Sequence, residues 1–245
     1  MSDAFFRIHS GLPQEGPGSA ASTRRALSLA PDLAGLVQVL DIACGPGRQT
    51  LTLADELPEA HIVAVDAHLP FVEEVRRRAV AAGVADRVEA VVGDMAELGE
   101  LAGLGPFDAV WCEGAAYVLG FQEALEQWRP LLRPGGVMAL TEPVWLAPTV
   151  RQAVSDFWTQ AYPGMQPVQV RRAQILGAGY KRIGDFTLPR EDWEAYYDPL
   201  RARLHDLGDD PSVAGVVADH ERELAVFDGG GADTVGYQFF VMRPG

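Results

Sequence analysis

The segment Val39-Leu40-Asp41-Ile42-Ala43-Cys44-Gly45-Pro46-Gly47 constrains this chain more than any other. A buried-strand pattern runs straight into a glycine turn, and the residues that follow read as a helix from about Arg48 to Leu57, stopped at Pro58. Glycine has no Cβ, so the backbone of such a turn can come close to a bound molecule. The alternation then repeats. His61–Asp66 reads as a second strand, Leu69–Ala82 as a helix ending at Gly83, Val88–Gly93 as a third strand and Phe107–Trp111 as a fourth. A helix over Phe121–Leu132 breaks at Pro134-Gly135-Gly136, and Val137–Thr141 is a fifth strand. Strands and helices alternating at this spacing predict βαβ units, whose right-handed crossovers build a parallel sheet with helices on both faces.

Beyond residue 143 the rhythm loosens. Helical pattern covers about 149–161 and 167–177, Tyr180–Leu188 reads as a strand, and Thr234–Met242 as another. Between them, about 190–228, lies helical sequence carrying Trp193, Tyr196 and Tyr197. A length of 245 residues with 48% hydrophobic content supports one α/β domain with a real core. Its expected parts are an N-terminal cover (1–35), a ligand-binding core (36–143) and pocket-forming elements with the last strands (144–245).

Charge excludes some functions. Asp and Glu number 34 against 20 Lys and Arg, a formal net charge of −14. Nucleic-acid binding needs a basic footprint, and the longest basic run, Arg76-Arg77-Arg78, reads as a solvated helix face. An anionic membrane surface is disfavoured for the same reason. No apolar run reaches about 18 residues, and the Met1-Ser2-Asp3-Ala4-Phe5-Phe6 start lacks a secretory pattern. Cys44 and Cys112 are too few for a disulfide framework or a cysteine metal site, and there is no His-x-x-x-His or Cys-x-x-Cys. The expectation is a cytoplasmic protein, without a metal, monomeric or homodimeric, acting on neither nucleic acid nor membranes.

In an open α/β sheet, ligands bind beyond the carboxyl ends of the strands. There Asp66, followed by Ala67 and His68, ends the second strand and could accept both ribose hydroxyls of an adenosine. Asp94-Met95 follows the third strand: a carboxylate can accept from an adenine amino group, and a methionine can pack on the ring face. A nicotinamide dehydrogenase also uses a glycine turn and an acid about 20 residues on. Its fingerprint wants Gly or Ala where this chain has Thr50, and it gives no reason for Asp41.

These motifs together resemble the class I S-adenosylmethionine-dependent methyltransferases over about residues 37–143. Val39–Gly47 matches the family's first motif, Asp66 its ribose-binding acid, Asp94 its third-strand acid, and Phe107–Gly114 its fourth-strand motif; Leu131-Leu132-Arg133-Pro134-Gly135-Gly136 follows in order. The segments Phe5–Pro13, Gly16–Ser19, Trp111–Tyr117 and Trp193–Tyr197 resemble a bacterial small-molecule branch of that family. The resemblance implies a Rossmann-like, doubly wound, seven-stranded, mostly parallel sheet with an antiparallel last strand and helical lid elements. It implies S-adenosylmethionine as cofactor, S-adenosylhomocysteine as product and a small-molecule acceptor. It places Asp41, Cys44, Gly45, Gly47, Asp66, Ala67, His68, Asp94, Met95 and Glu113 at the cofactor, and Glu113 and Tyr117 as catalytic candidates.

Each residue has a second reading. Asp41 is either an organiser of the cofactor loop or a strand-end acid held by backbone N–H groups, and Asp94 alone would be a helix N-cap. Glu113 is either beside the reacting groups or a solvated loop acid; Tyr117 and His68 either touch ligands or pack. His9, His205, Glu113 and Tyr117 are the general-base candidates for an acceptor that carries a proton. The cysteines read as small buried side chains, ending as neighbouring wall positions of the cleft. The aromatics at 5–6, 145–162 and 193–197 either build the acceptor pocket or fill a core; an aromatic pocket in an acidic protein suits a cationic amine. The functional alternative is a non-catalytic module that binds the same cofactor as a partner or sensor.

Overall fold

The computed structural model describes residues 2–33, 35, 37–99, 105–208 and 210–245. The expected strands are present as β1 (Gln38–Ile42), β2 (His61–Asp66), β3 (Val88–Val92), β4 (Phe107–Cys112) and β5 (Leu132–Trp145). Two helices precede β1, α1 (Asp3–His9) and α2 (Ala20–Ser28); α3 (Arg48–Glu56) and α4 (Leu69–Ala81) follow β1 and β2. The short α5 (Ala116–Leu119) and α6 (Phe121–Trp128) lie between β4 and β5. Then come α7 (Gln152–Ala161), the two-residue β6 (Gln166–Pro167), α8 (Val168–Gly177), β7 (Tyr180–Thr187), α9 (Arg190–Leu207), α10 (Ala214–Asp228) and β8 (Val235–Pro244).

The sheet runs β3-β2-β1-β4-β5-β8-β7, with β6 pairing β5 off this path. Strand β8 is antiparallel to both β5 and β7. The seven-stranded sheet with an antiparallel last strand is therefore present, and β6 adds an eighth short strand. Strand order reverses between β1 and β4, which places a crevice at their carboxyl ends.

Alternation along β1 explains how both faces are covered. Val39 joins a core with α3 and α4 residues such as Leu53, Val72 and Val75, while Leu40 and Ile42 join a second core with Phe121, Leu125 and Trp128 of α6. Sheets covered on both faces read as continuous apolar strands, and the expected strands were visible for that reason.

Two boundaries differ from expectation. The helix expected to reach Leu132 ends at Trp128 and gives way to a 3₁₀ turn over Arg129–Leu131. Strand β5 extends from the expected Val137–Thr141 to Leu132–Trp145, because β8 pairs with it from Met138↔Met242 to Trp145↔Val235. The Glu142-Pro143 interruption masked this extension in the apolar pattern.

Glu142 itself is fully buried on β5. Its Oε1 accepts from Arg171 Nη2 of α8 at 2.6 Å and from the Tyr162 hydroxyl at 2.7 Å. Burial pushes the carboxyl up to about 7 against the pull of the guanidinium. Breaking such a pair leaves an uncompensated buried charge. Arg171→Ala is therefore expected to destabilise the fold by about 3–5 kcal/mol at pH 7.5, and by less at pH 5, where Glu142 takes up a proton; urea unfolding at the two pH values measures both.

Candidate active site

A cavity of about 400 Å³ opens at the carboxyl ends of β1–β4, within the usual range for small-molecule sites. Its floor is the loop after β1, which turns through positive φ at Ala43 (+53°), Gly45 (+53°) and Gly47 (+90°). The two glycines have different reasons. Gly45 lines the cavity, and a Cβ there would meet Glu15 Cγ at 3.3 Å. Gly47 does not line it; a Cβ there would fall 2.8 Å from Val75 Cγ2, so this glycine lets α3 start against α4.

Asp41 lies behind the loop rather than in the cavity. It is fully buried, and its partners are side chains, not backbone N–H groups: Thr50 Oγ1 donates at 2.5 Å and Gln49 Nε2 at 3.3 Å. Gln49 Nε2 also donates to the Cys44 carbonyl at 3.1 Å, so one amide ties the acid to the loop. Burial pushes the Asp41 carboxyl up to about 7, against the hydrogen bond from Thr50.

Asp66, Ala67 and His68 line the cavity beside Gly45. The Asp66 carboxylate accepts from Gly45 N at 2.9 Å and from His68 N at 2.8 Å, one backbone donor per oxygen. Each oxygen keeps acceptor capacity for a ligand hydroxyl. Burial raises its pKa, and the two backbone N–H groups oppose that rise. The His68 ring is stacked by Phe6 at 3.6 Å, nearly parallel, with Phe71 at its edge. Asp94 and Met95 line the same space; Asp94 also accepts from Ala96 N at 2.8 Å, a bond within a turn and not at the start of a helix.

Glu113 lines the cavity with three donors on its carboxylate. Oε1 accepts from Trp111 Nε1 and Thr23 Oγ1, each at 2.7 Å, and Oε2 from Arg48 Nη2 at 2.6 Å. Tyr117 also lines the cavity; burial, with the nearby Glu223 and Glu142 carboxylates, pushes its phenol up to about 12.

The remaining wall comes from the N-terminal segment: Phe5, Phe6, Gln14, Glu15, Gly16 and Pro17. Gln14 Nε2 donates to the Gly16 and Gly18 carbonyls, each at 2.9 Å, and shapes the turn that presents Glu15. Glu15, Arg48 and Gln49 were absent from the expected site. Glu15 sits between the two sequence segments that carried the resemblance, and no local pattern singled it out.

Several expectations are corrected. Cys44 lines the cavity, but Cys112 points to the opposite face of the sheet, into the core around α6, because successive strand residues alternate. Burial raises both thiols, so neither is an activated nucleophile. Trp193, Tyr196 and Tyr197 do not line the cavity; they pack with Phe227 and Tyr237 in a core beside it. His205 is exposed on α9. His9 is fully buried behind Glu15.

The strand order and crevice define a doubly wound α/β fold in which β8 is inserted antiparallel between β5 and β7. Residues 39–136 match the family profile described as a methyltransferase domain. An uncharacterized protein of Escherichia coli, YjhP, is 30% identical over 240 residues, covering 89% of this chain and 86% of its own. A SAM-dependent methyltransferase from Geobacter sulfurreducens, solved with S-adenosyl-L-homocysteine, superposes with a TM-score of 0.83 at 20% identity, covering 100% and 99% of the two chains. A trans-aconitate 2-methyltransferase from an Azoarcus species is 28% identical over 116 residues, 43% of this chain and 38% of its own. The chain belongs to the class I S-adenosylmethionine-dependent methyltransferases. It is an enzyme of that family, whose cofactor is S-adenosylmethionine, and not a dehydrogenase.

A carboxyl raised by burial stabilises the fold while protonated and loses that contribution as pH rises through its folded value. For Asp41 the window runs from its ordinary 3.8 up to about 7. Asp41→Asn keeps an acceptor for Thr50 without the titration, so thermal melts between pH 4 and 7.5 are expected to fall less steeply with pH than those of the wild type.

Proposed function

We propose that the chain methylates a small-molecule acceptor, with the cofactor held by Gly45, Asp66, Ala67, His68, Asp94 and Met95 over the loop tied by Asp41. The observation that carries this reading is the Asp66 carboxylate, half-buried in the cavity wall with each oxygen given one backbone donor and left capacity for one more. Bound S-adenosylmethionine supplies a methyl group activated by a sulfonium. The chain's own work is then to hold, orient and dry the reactants. Proximity and alignment can contribute about 7–11 kcal/mol in favourable cases.

Roles divide among the remaining residues. Glu113, with its three donors, positions Arg48 and Thr23 at the cavity edge rather than taking a proton. Tyr117, held as a phenol, offers the acceptor a hydrogen bond. Residues 1–35 act as a cover, and the whole chain works as one catalytic unit in a soluble compartment.

A small neutral or cationic acceptor suits this lining. The cavity presents Glu15, Asp66, Asp94 and Glu113, and its one arginine, Arg48, is already paired with Glu113. A tricarboxylate such as the one in the name of the Azoarcus relative would meet these carboxylates with no unpaired guanidinium among the described residues that line the cavity. The same charge argues against a polyanionic acceptor.

Calorimetric titration with S-adenosylhomocysteine tests the reading. Wild type is expected to bind, and Asp66→Ala to weaken binding about ten- to hundredfold, the loss of hydrogen bonds to a charged acceptor. No binding by folded wild type overturns the reading. A turnover screen with labelled cofactor, in which amines and hydroxyl compounds are compared with trans-aconitate, tests the acceptor class; efficient methylation of trans-aconitate overturns that part.

A further inference from the structure

A second and much smaller space lies among α7, α9, α10 and the start of β8. Four aromatic residues, Trp158, Trp193, Tyr197 and Phe227, line it together with Val235 and Glu223. Its volume is about 10 Å³, room for one water-sized group. It shares no lining residue with the cofactor cavity. Trp193 stacks on Phe227 at 27°, but Trp158 meets Trp193 at 85° and Tyr197 meets Phe227 at 65°. The two steep angles leave a gap that a parallel pile of rings would close.

Glu223 is the one charged side chain of this lining. Its Oε1 accepts from the Tyr197 hydroxyl at 2.8 Å, and Oε2 lies 3.7 Å from His220 Nδ1, beyond hydrogen-bond reach. No arginine or lysine among the described residues pairs with it. Arg190 and Arg201 do lie over the rings of Phe227 and Tyr197, at 5.0 and 5.8 Å. Each has carboxylates of its own, Glu194 for Arg190 and Asp198 with Asp228 for Arg201. The rings thus already draw cations from outside, while the carboxylate in their midst has no guanidinium or ammonium. Aromatic faces carry the negative pole of the ring quadrupole, and a carboxylate adds a full negative charge, so the box selects for a cation. An ammonium group is close to water in size, and its N–H donors match the acceptor capacity left on the carboxylate.

We propose that this box is an accessory cation site that binds an ammonium group, either the free ammonium ion or the head of a primary amine. It goes beyond the methyl-transfer reading and does not rest on it, since the box is separate from the cofactor cavity. Glu223 supplies the charge and a hydrogen-bond acceptor, Tyr197 fixes the carboxylate through Oε1, and the tryptophans and Phe227 supply ring surface. The volume sets the upper limit on the ligand: a tetramethylammonium ion is too large to enter. A potassium ion matches the charge and size of ammonium but donates no hydrogen bond, and methanol donates one without the charge.

The test is a titration of the full chain with ammonium chloride and with methylammonium chloride, at ionic strength held constant by potassium chloride. The readout is the tryptophan side-chain N–H signals in ¹⁵N–¹H spectra, with Trp158→Phe and Trp193→Phe assigning the two signals of the box. Those two are expected to shift and saturate, half-way between about 1 and 100 mM, while Trp111 and Trp128, buried in the sheet's own cores, stay in place. A response to methylammonium identifies the head of a primary amine, and a response to ammonium alone identifies the ion; each supports the site. Glu223→Gln is expected to weaken binding about tenfold or more, the loss of a hydrogen bond to a charged group. Val235→Ile adds a methyl group to the wall and keeps the carboxylate, and it is expected to abolish the response with the thermal melt preserved. Should Glu223→Gln fail to fold, Val235→Ile decides alone, and an unchanged response in it overturns the proposal. Equal shifts with potassium, methanol or tetramethylammonium overturn it, as does an unchanged response in folded Glu223→Gln or no saturable shift in wild type up to about 100 mM.

Discussion

The cavity depends on a carboxylate that never enters it. Asp41 is buried at the end of β1, where an isolated charge would be costly, and it is kept there by Thr50 and Gln49 from the first turn of α3. Because Gln49 also holds the Cys44 carbonyl, the acid fixes where the strand stops, how the loop turns and where the helix begins. The left-handed backbone at Ala43, Gly45 and Gly47 is tolerable because both ends of the loop are pinned this way. Gly45 N then points at Asp66, and the two strand ends are locked to each other through that bond.

A second consequence of the same geometry is that cavity chemistry is sorted by strand. Residues at the ends of β1 and β2 present backbone donors and a carboxylate held only by backbone N–H groups, whereas the end of β4 presents Glu113 held by three side-chain donors. Two acids that look alike in sequence therefore differ in what they can do. Asp66 can still accept from a ligand; Glu113 is committed to Trp111, Thr23 and Arg48. Tyr117, with its phenol raised by burial, can donate but does not serve as a base near neutral pH.

Much of this was legible in the sequence. The central strands are covered on both faces, so Ile62–Val65 is a continuous apolar run and Val39–Ile42 is one broken only by Asp41, and glycine and proline marked their ends. Asp66, Asp94 and the glycine turn could be placed because strand ends in this architecture converge on one crevice. What stayed hidden depends on contacts between distant segments. Thr50 looked like a departure from a dehydrogenase fingerprint, and only the fold makes it the partner of Asp41. Glu15 and His9 have no local pattern, since their neighbour His220 lies 211 residues from His9 in the chain. The aromatics of α9 gave a strong local signal but an ambiguous one, because aromatic side chains fill cores and line pockets equally well; here Trp193 and Tyr197 stack on Phe227 and leave the cavity to Phe5 and Phe6.

The insertion of β8 between β5 and β7 bears on how the molecule is made. Strand β8 supplies the pairing for both neighbours, so β7 has no place in the sheet until residues 235–244 have been synthesised. The wall formed by the first helix is likewise delayed, because His9 docks on His220 of α10. Pairings between distant segments are slow to form and leave strand edges open meanwhile. The half of the sheet built from β1–β4 can pair as it emerges during translation, whereas the cavity closes only after nearly the whole chain has been made. The cavity is thus among the last parts of this fold to form, and a ribosome-bound intermediate would carry the loop after β1 before it had the wall that encloses it.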